Sequence, residues 1–305
     1  MNKLSIVVPA CDEAECLGKL VDAINALGLN RPLEFVLVDD GSSDATLSVM
    51  REMAAKDERV HYLSFSRRFG KEAAILAGIK KSSGDLVVTM DADMQHDPAL
   101  LKEMLKAIEE EGYDSAAACR TRREGEPRFR GWFSRWFFST MNTCSEIQLK
   151  HGAMDYRMMT RRFLNEVLAL NEVDRFTKGI YEWVGFKTKW IEVETPKRVA
   201  GATKWKAMAL FTYSVRSFIA FSTAPLKFAS ALGAACCLGS FLYMAYVFLS
   251  WLFFGNSVSG WPTIVCAIFF FGGLQLFVIG LVGIYVASVA REAKKRPHYV
   301  ISEER

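Results

Sequence analysis

The chain has 305 residues, 51% of them hydrophobic and 24% charged, with a formal net charge of +4. That length holds a full-sized core and further segments besides, while so mild an excess of base argues against nucleic-acid binding. Its cysteines (Cys11, Cys16, Cys119, Cys144, Cys236, Cys237 and Cys266) are odd in number and form no CxxC pair, so they point to a reducing compartment and to neither a disulfide framework nor a zinc site.

The first apolar run, residues 4–8, is too short for the h-region of a signal peptide and leads straight into Pro9, Asp12 and Glu13. The head is therefore expected to stay inside the cell. Strands are predicted at residues 4–9, 34–38, 60–65, 86–90 and 115–118, each a short β-rich run. Between the first two, Leu17, Leu20, Val21, Ile24 and Leu27 keep helical spacing. A second helix is predicted over 43–55 behind an N-cap-like Ser-Ser-Asp, and Pro98 opens another. Such a βαβ series makes a mostly parallel sheet covered by helices, with ligands beyond the carboxyl ends of the strands.

Acidic groups stand at those ends: Asp12-Glu13 after the first strand, Asp39-Asp40-Gly41-Ser42 after the second, and Asp91-Ala92-Asp93 after the fourth. Each motif alone is ordinary, since Asp-Asp-Gly-Ser is also a common turn. Converging on one edge, the carboxylates repel unless a cation or ligand offsets the charge, and Mg2+ or Mn2+ bridging a diphosphate suits an all-oxygen set.

Further along, residues 127–138 interleave aromatics with cations, placing Trp132, Phe133, Trp136 and Phe137 on one helical face as in an interfacial helix. A second stretch, 205–221, carries few charges and leads toward the bilayer, with Pro225 marking a break. From Phe228 to Ala290 there is no Asp, Glu, Lys or Arg. This window holds two spans, 229–254 and 261–290, for a hydrocarbon layer about 30 Å thick. The loop between them is uncharged, whereas Arg291, Lys294, Lys295 and Arg296 follow the second span, which puts the tail, and with it the head, on the cytoplasmic side of the plasma (inner) membrane. The expected division is a head over 1–204, juxtamembrane helices over 205–227, two spans over 228–290 and a basic tail over 291–305. Small residues in the spans, such as Gly233 and Gly272, are compatible with a homo-oligomer.

Taken together, Val8-Pro9 with Asp12-Glu13, Val38-Asp39-Asp40-Gly41-Ser42-Ser43-Asp44, Phe69-Gly70-Lys71-Glu72, Asp91-Ala92-Asp93-Met94-Gln95, Asp155-Tyr156-Arg157, Arg175-Phe176-Thr177-Lys178-Gly179, Trp183-Val184-Gly185, and Arg198 with Gly201-Ala202-Thr203-Lys204-Trp205 resemble the polyprenyl-phosphate glycosyltransferases of glycosyltransferase family 2. The resemblance extends to the two spans and the tail. It implies a GT-A fold (α/β, Rossmann-like, mostly parallel) on a two-helix membrane hairpin, and inverting transfer of a hexose, glucose foremost, from a UDP-sugar to undecaprenyl or another polyprenyl phosphate. The product would be a β-linked polyprenyl monophosphosugar for envelope glycan modification, handed on to a flippase and a periplasmic-side glycosyltransferase.

Carried over by position, the resemblance implies that Pro9, Glu13 and Asp40 hold the base and ribose, with Asp39 as a second candidate, and that Lys71 lies near the nucleotide. Asp93 and Gln95 would bind Mg2+ or Mn2+, and Asp91 would touch either ribose or metal. Asp155 stands where the family places a catalytic base. Because a phosphate monoester with a second pKa of about 6 is already ionised, Asp155 has the alternative of orienting the acceptor or the sugar. Arg120, Arg130, Arg175, Arg198 and Lys204 are the cations available to the acceptor phosphate, Arg120 and Arg130 by family position and all of them by chemistry. Asp12 departs from the family, which usually has Asn there. The Gln-x-x-Arg-Trp motif of processive synthases is absent from the sequence. The alternatives are a membrane enzyme acting on a glycolipid or polysaccharide, and a non-catalytic recruiting module.

Overall fold

A computed structural model of the chain describes residues 2–120, 142–143, 147–173, 175–193, 223–254 and 260–305. The first half alternates as its sequence predicts: β1 (Leu4–Ala10), α1 (Ala14–Ala26), β2 (Leu33–Asp39), α2 (Thr46–Lys56), β3 (Val60–Phe65), α3 (Lys71–Lys81), β4 (Leu86–Thr89), α4 (Leu100–Glu109) and β5 (Ser115–Arg120). Then follow β6 (Ala153–Thr160), α5 (Arg161–Ala169), α6 (Thr177–Trp183) and β7 (Thr188–Val193). The long helices α7 (Ala224–Phe254) and α8 (Trp261–Ala293) come next, and β8 (Ile301–Glu304) closes the series.

The eight strands of the described residues form one sheet in the order β7-β5-β6-β4-β1-β2-β3-β8. Strands β3, β2, β1 and β4 run parallel at its centre, where β1 and β2 are buried on both faces and so read as unbroken apolar runs. One face is covered by α1, α2 and α4 through Leu17, Leu20, Ile24, Met50 and Met104. The other is covered by α3, α5 and α6 through Ala74, Ile75, Phe163, Leu164 and Ile180. Helix α3 lies so close to the sheet that a Cβ on Gly78 would sit 2.2 Å from Val7 Cγ1.

The chain builds outward from β1 through β2 to β3, then returns to place β4 on the other side of β1. Loops leaving β1 and β4 therefore part in opposite directions and open a crevice at the carboxyl edge. Strand β6 runs antiparallel between β4 and β5, so its beginning, with Asp155, reaches the same edge at which β4 and β5 end.

At the opposite edge the buried Glu34 carboxylate accepts from the Lys3 ammonium (2.8 Å), the Ser5 hydroxyl, and the backbone and hydroxyl of Ser83 (2.9 and 2.7 Å). Burial alone would raise its pKa, but these donors outweigh it and bring the pKa down from 4.5 to about 2. A carboxylate whose folded pKa is depressed stabilises the fold above its unfolded pKa. That contribution is lost as pH falls from 4.5 through about 2. Glu34→Gln is expected to cost about 2 to 3 kcal/mol of stability at neutral pH, with the difference from wild type shrinking across that acid window in a pH series of thermal melts.

Helices α7 and α8 contain the two stretches, Ala224–Val247 and Ala267–Ala293, long and apolar enough to cross a membrane. Almost none of either is buried within the protein, and Phe241, Tyr246, Phe253, Phe269, Leu276 and Val289 all stand exposed. Apolar on every side, the pair has no polar face to give to water, which fits a membrane hairpin. The basic tail does more than trail from it: after Lys294 and Lys295 the chain turns back and lays β8 antiparallel along β3. The C-terminal end of the hairpin thus returns to the head.

Candidate active site

Three short loops meet where β1, β2 and β3 end. Asp12, at φ 57, stitches them together: its Oδ1 accepts from the Ser43 backbone (2.8 Å), its Oδ2 from Arg68, and its own N–H donates to the Ser42 hydroxyl (3.0 Å). The Ser43 backbone bond, with help from Arg68, keeps its carboxyl below the ordinary range despite some desolvation. Asp tolerates the left-handed backbone much as Asn does, and its charge adds the Arg68 pair. Gly41 is required at φ 63, where a Cβ would come within 2.7 Å of the Arg67 carbonyl carbon.

The expected nucleotide carboxylates lie at this end. Asp39 is buried, accepting from the Ser42 backbone (2.9 Å) and the Ser64 hydroxyl (2.8 Å). Asp40 accepts the N–H groups of Phe69 (2.7 Å) and Gly70 (3.0 Å), so it anchors the loop that starts α3. Its pKa is raised by burial, with those two N–H groups opposing. Pro9 sits half-buried in β1 opposite Val38, and Glu13 stands at the N-cap position of α1, its N–H donating to Thr46 Oγ1 (2.9 Å).

The chemically richest group lies where β4, β6 and α3 converge. Lys71, in the first turn of α3, places its ammonium 2.7 Å from Asp91 and 2.6 Å from Asp155. Lys178, from the start of α6, stands 3.3 Å from the other oxygen of Asp155 and donates to the Ala153 carbonyl (2.9 Å). Thr89 fixes the backbone by donating to the Asp155 carbonyl (2.7 Å). Burial pushes the Asp155 carboxyl up, but Lys178 and Lys71 outweigh it and hold it far below the usual carboxylate range. Lys71 is itself pulled down by burial and raised further by Asp155 and Asp91, so it stays an ammonium. Lys178 and Lys71 thus favour Asp155 as a carboxylate and make it a weak base.

Behind Asp91, the His96 ring stacks on Tyr156 (5.0 Å, 7°) and its Nδ1 accepts the Asp91 N–H (3.2 Å). Burial lowers the pKa of His96, which keeps it a neutral prop. Asp93 Oδ1 accepts the Gln95 N–H (3.1 Å) in a tight turn that carries Met94 at φ 57. A non-glycine residue in that region marks a loop held in shape by its surroundings.

The donor set of this loop fits a hard divalent cation. Asp91, Asp93 and Gln95 offer only oxygens, and the Lys71 ammonium lodged between two carboxylates shows that this edge already holds positive charge. Among the described residues no group of three or more His, Cys, Asp or Glu is drawn together tightly enough to hold an ion by itself.

Of the residues expected at the acceptor, Arg120 ends β5 on the same edge, its N–H bonded to the Gly152 carbonyl (2.9 Å). Arg175 has another use: its guanidinium donates to Leu170 (2.7 Å) and Val167 (3.0 Å) carbonyls and closes the end of α5. Each terminal nitrogen thus gives one bond to the protein, a contact that its position in sequence does not reveal. Arg130, Arg198 and Lys204 lie outside the described residues, as do the aromatic stretch 127–138 and the segment 205–221. Lys178 and Thr89 received no role from sequence alone. Lys178 belongs to a motif that the family resemblance already marks, but only the packing of α6 against β6 brings it to Asp155.

The profile of Glycosyl transferase family 2 matches residues 5–168. Over 98% of its length the chain is 38% identical to a putative glycosyltransferase, CsbB, of Bacillus subtilis, covering 91% of that protein. It is 35% identical to the bactoprenol glucosyl transferase of Shigella phage SfV, over 99% of both chains. Among solved structures it is similar to mannosyl-3-phosphoglycerate synthase from Rubrobacter xylanophilus, with a TM-score of 0.49 and 20% identity over 71% of each chain.

Proposed function

The chain belongs to glycosyl transferase family 2, a glycosyltransferase with a GT-A-type head, and from this we propose that it moves a hexose, glucose foremost, from a UDP-sugar to polyprenyl phosphate. One observation carries the reading: likeness to a bactoprenol glucosyl transferase covers 99% of both chains, so it takes in the head and the apolar hairpin together. The hairpin anchors the enzyme in the plasma membrane with its head on the cytoplasmic face, where a dissolved donor and a lipid-borne acceptor meet.

Asp39, Asp40, Pro9 and Glu13 bind the base and ribose, and Lys71 meets the diphosphate. Asp93 and Gln95, with Asp91, would hold Mg2+ or Mn2+, which neutralises charge on the leaving diphosphate. An oxygen of the polyprenyl phosphate attacks the anomeric carbon from the face opposite UDP. The new C–O bond forms as the bond to UDP breaks, UDP leaves as an anion, and the sugar is inverted to a β-linked polyprenyl monophosphosugar. The phosphate needs no proton removed, so Asp155, fixed between Lys71 and Lys178, orients sugar and acceptor. Arg120 draws the acceptor phosphate to the edge, aided by Arg130, Arg198 and Lys204. Positioning and charge neutralisation supply most of the rate.

A panel of UDP-glucose, UDP-galactose and UDP-N-acetylglucosamine, each offered with undecaprenyl phosphate to the purified protein, tests this reading. Labelled lipid from UDP-glucose is the expected result. Transfer from none of the UDP-sugars would overturn the donor class.

A further inference from the structure

The strand that follows the membrane hairpin and the residues leading into it reach both candidate nucleotide carboxylates through one or two intervening residues. On one route, the Ser302 hydroxyl donates to the Ser64 carbonyl (3.0 Å), and the Ser64 hydroxyl donates to Asp39 (2.8 Å). On the other, the Tyr299 ring stacks on Phe65 (5.0 Å, 13°), and Phe65 meets Phe69 edge-on (5.7 Å). Phe69 and Gly70 in turn donate to Asp40.

Between these routes the Ser66 N–H is satisfied by the Val300 carbonyl (3.0 Å), just where the β3–β8 register shifts. The loop 66–70 begins at that point and delivers Lys71 to the diphosphate end. Its other side is pressed against Gly41, where no Cβ fits. The loop is thus gripped between the Asp40-Gly41 turn and the tail. Beyond the loop, β8 is fastened independently by Arg51 to Glu303 and by Lys81 to Glu304 (3.0 Å).

We propose that β8 and the residues leading into it form the outer wall of the donor site, with Tyr299 as a positioning residue that sets nucleotide affinity through Phe65, Phe69 and the 66–70 loop. This rests on the UDP-binding role of Asp39 and Asp40 given above. Its consequence is that the segment leaving the bilayer is also the one that holds the donor loop, so hairpin and nucleotide site are built as one piece.

Calorimetric titration of UDP with Mn2+ into the full-length protein in detergent tests the proposal. Tyr299→Ala should weaken UDP binding about five- to tenfold, the scale of one lost aromatic pair. Tyr299→Phe, which keeps the ring and loses only the hydroxyl, should restore wild-type affinity. Tyr299→Leu fills the space without a flat ring and should bind as weakly as Tyr299→Ala, which serves if the alanine variant fails to fold. If Tyr299→Leu or Tyr299→Ala binds UDP as wild type does and loses only thermal stability, the tail is mere packing and the proposal falls alone. If wild type itself binds no UDP, the donor-site reading falls and takes the proposal with it.

Discussion

Asp155→Asn is expected to lower kcat about 100- to 1000-fold while leaving the KM for the UDP-sugar within about threefold of wild type. The amide keeps the shape of the side chain but removes the charge that Lys71 and Lys178 share at 2.6 and 3.3 Å. Two ammoniums then face one another with only Asp91, on the Lys71 side, left as a counter-charge, and the group proposed to orient sugar and acceptor is gone. Donor affinity survives because Lys71, freed from Asp155, still serves the diphosphate. The pH profile separates this role from that of a base. Asp155 stays ionised throughout the assay range, so the acid limb belongs to the acceptor phosphate, near its second pKa of about 6, and stays in place in the variant. Near-normal turnover in Asp155→Asn would remove this residue from the chemistry.

Asp93→Asn is expected to abolish the response to divalent metal. The wild type should lose at least about 1000-fold in transfer rate when stripped with chelator and recover on adding Mn2+, the scale on which charge neutralisation at a diphosphate acts. In the variant, saturating Mn2+ should restore little of it. Asp93 is the residue to choose because among the described residues its carboxylate pairs with no cation, bonding instead to the Gln95 backbone at 3.1 Å. Asp91 is a poorer choice, since it also pairs with Lys71 and its removal would disturb two functions at once. Metal titration of transfer in wild type and Asp93→Asn reads the difference directly, and a variant with an unchanged metal response would relocate the ion.

The central sheet was legible in the sequence because parallel strands buried on both faces are apolar runs, and because β1, β2 and β4 are each followed by an acidic turn at the carboxyl end. The same turns point to the candidate site. What escaped notice depends on partners distant in sequence. Strand β6, Ala153–Thr160, mixes Asp155, Arg157 and Thr160 with methionines and shows no clean alternation; it is a strand because β4 and β5 flank it. Strand β8 is four residues long with two glutamates, and it forms because β3 offers an unpaired edge and Arg51 and Lys81 receive its charges.

Side-chain roles were legible to the extent that they are local. The Asp91 and Asp93 loop declares itself within a few residues. Arg175 is expected at the acceptor phosphate from its charge, and a cation in a sequence does not reveal that its guanidinium also donates to the carbonyls ending α5. Lys178 shows the converse, a residue whose part at Asp155 appears only once α6 is packed. Asp40 was expected to face the nucleotide, and the fold gives it a second duty in holding the 69–70 backbone.

The chemical form of the labelled product tests the whole account most directly. Purified protein given radiolabelled UDP-glucose, Mn2+ and undecaprenyl phosphate should yield a single labelled lipid that releases one glucose under mild acid. Label found in a polymer or on a diacylglycerol, with none on the polyprenyl phosphate, would contradict it.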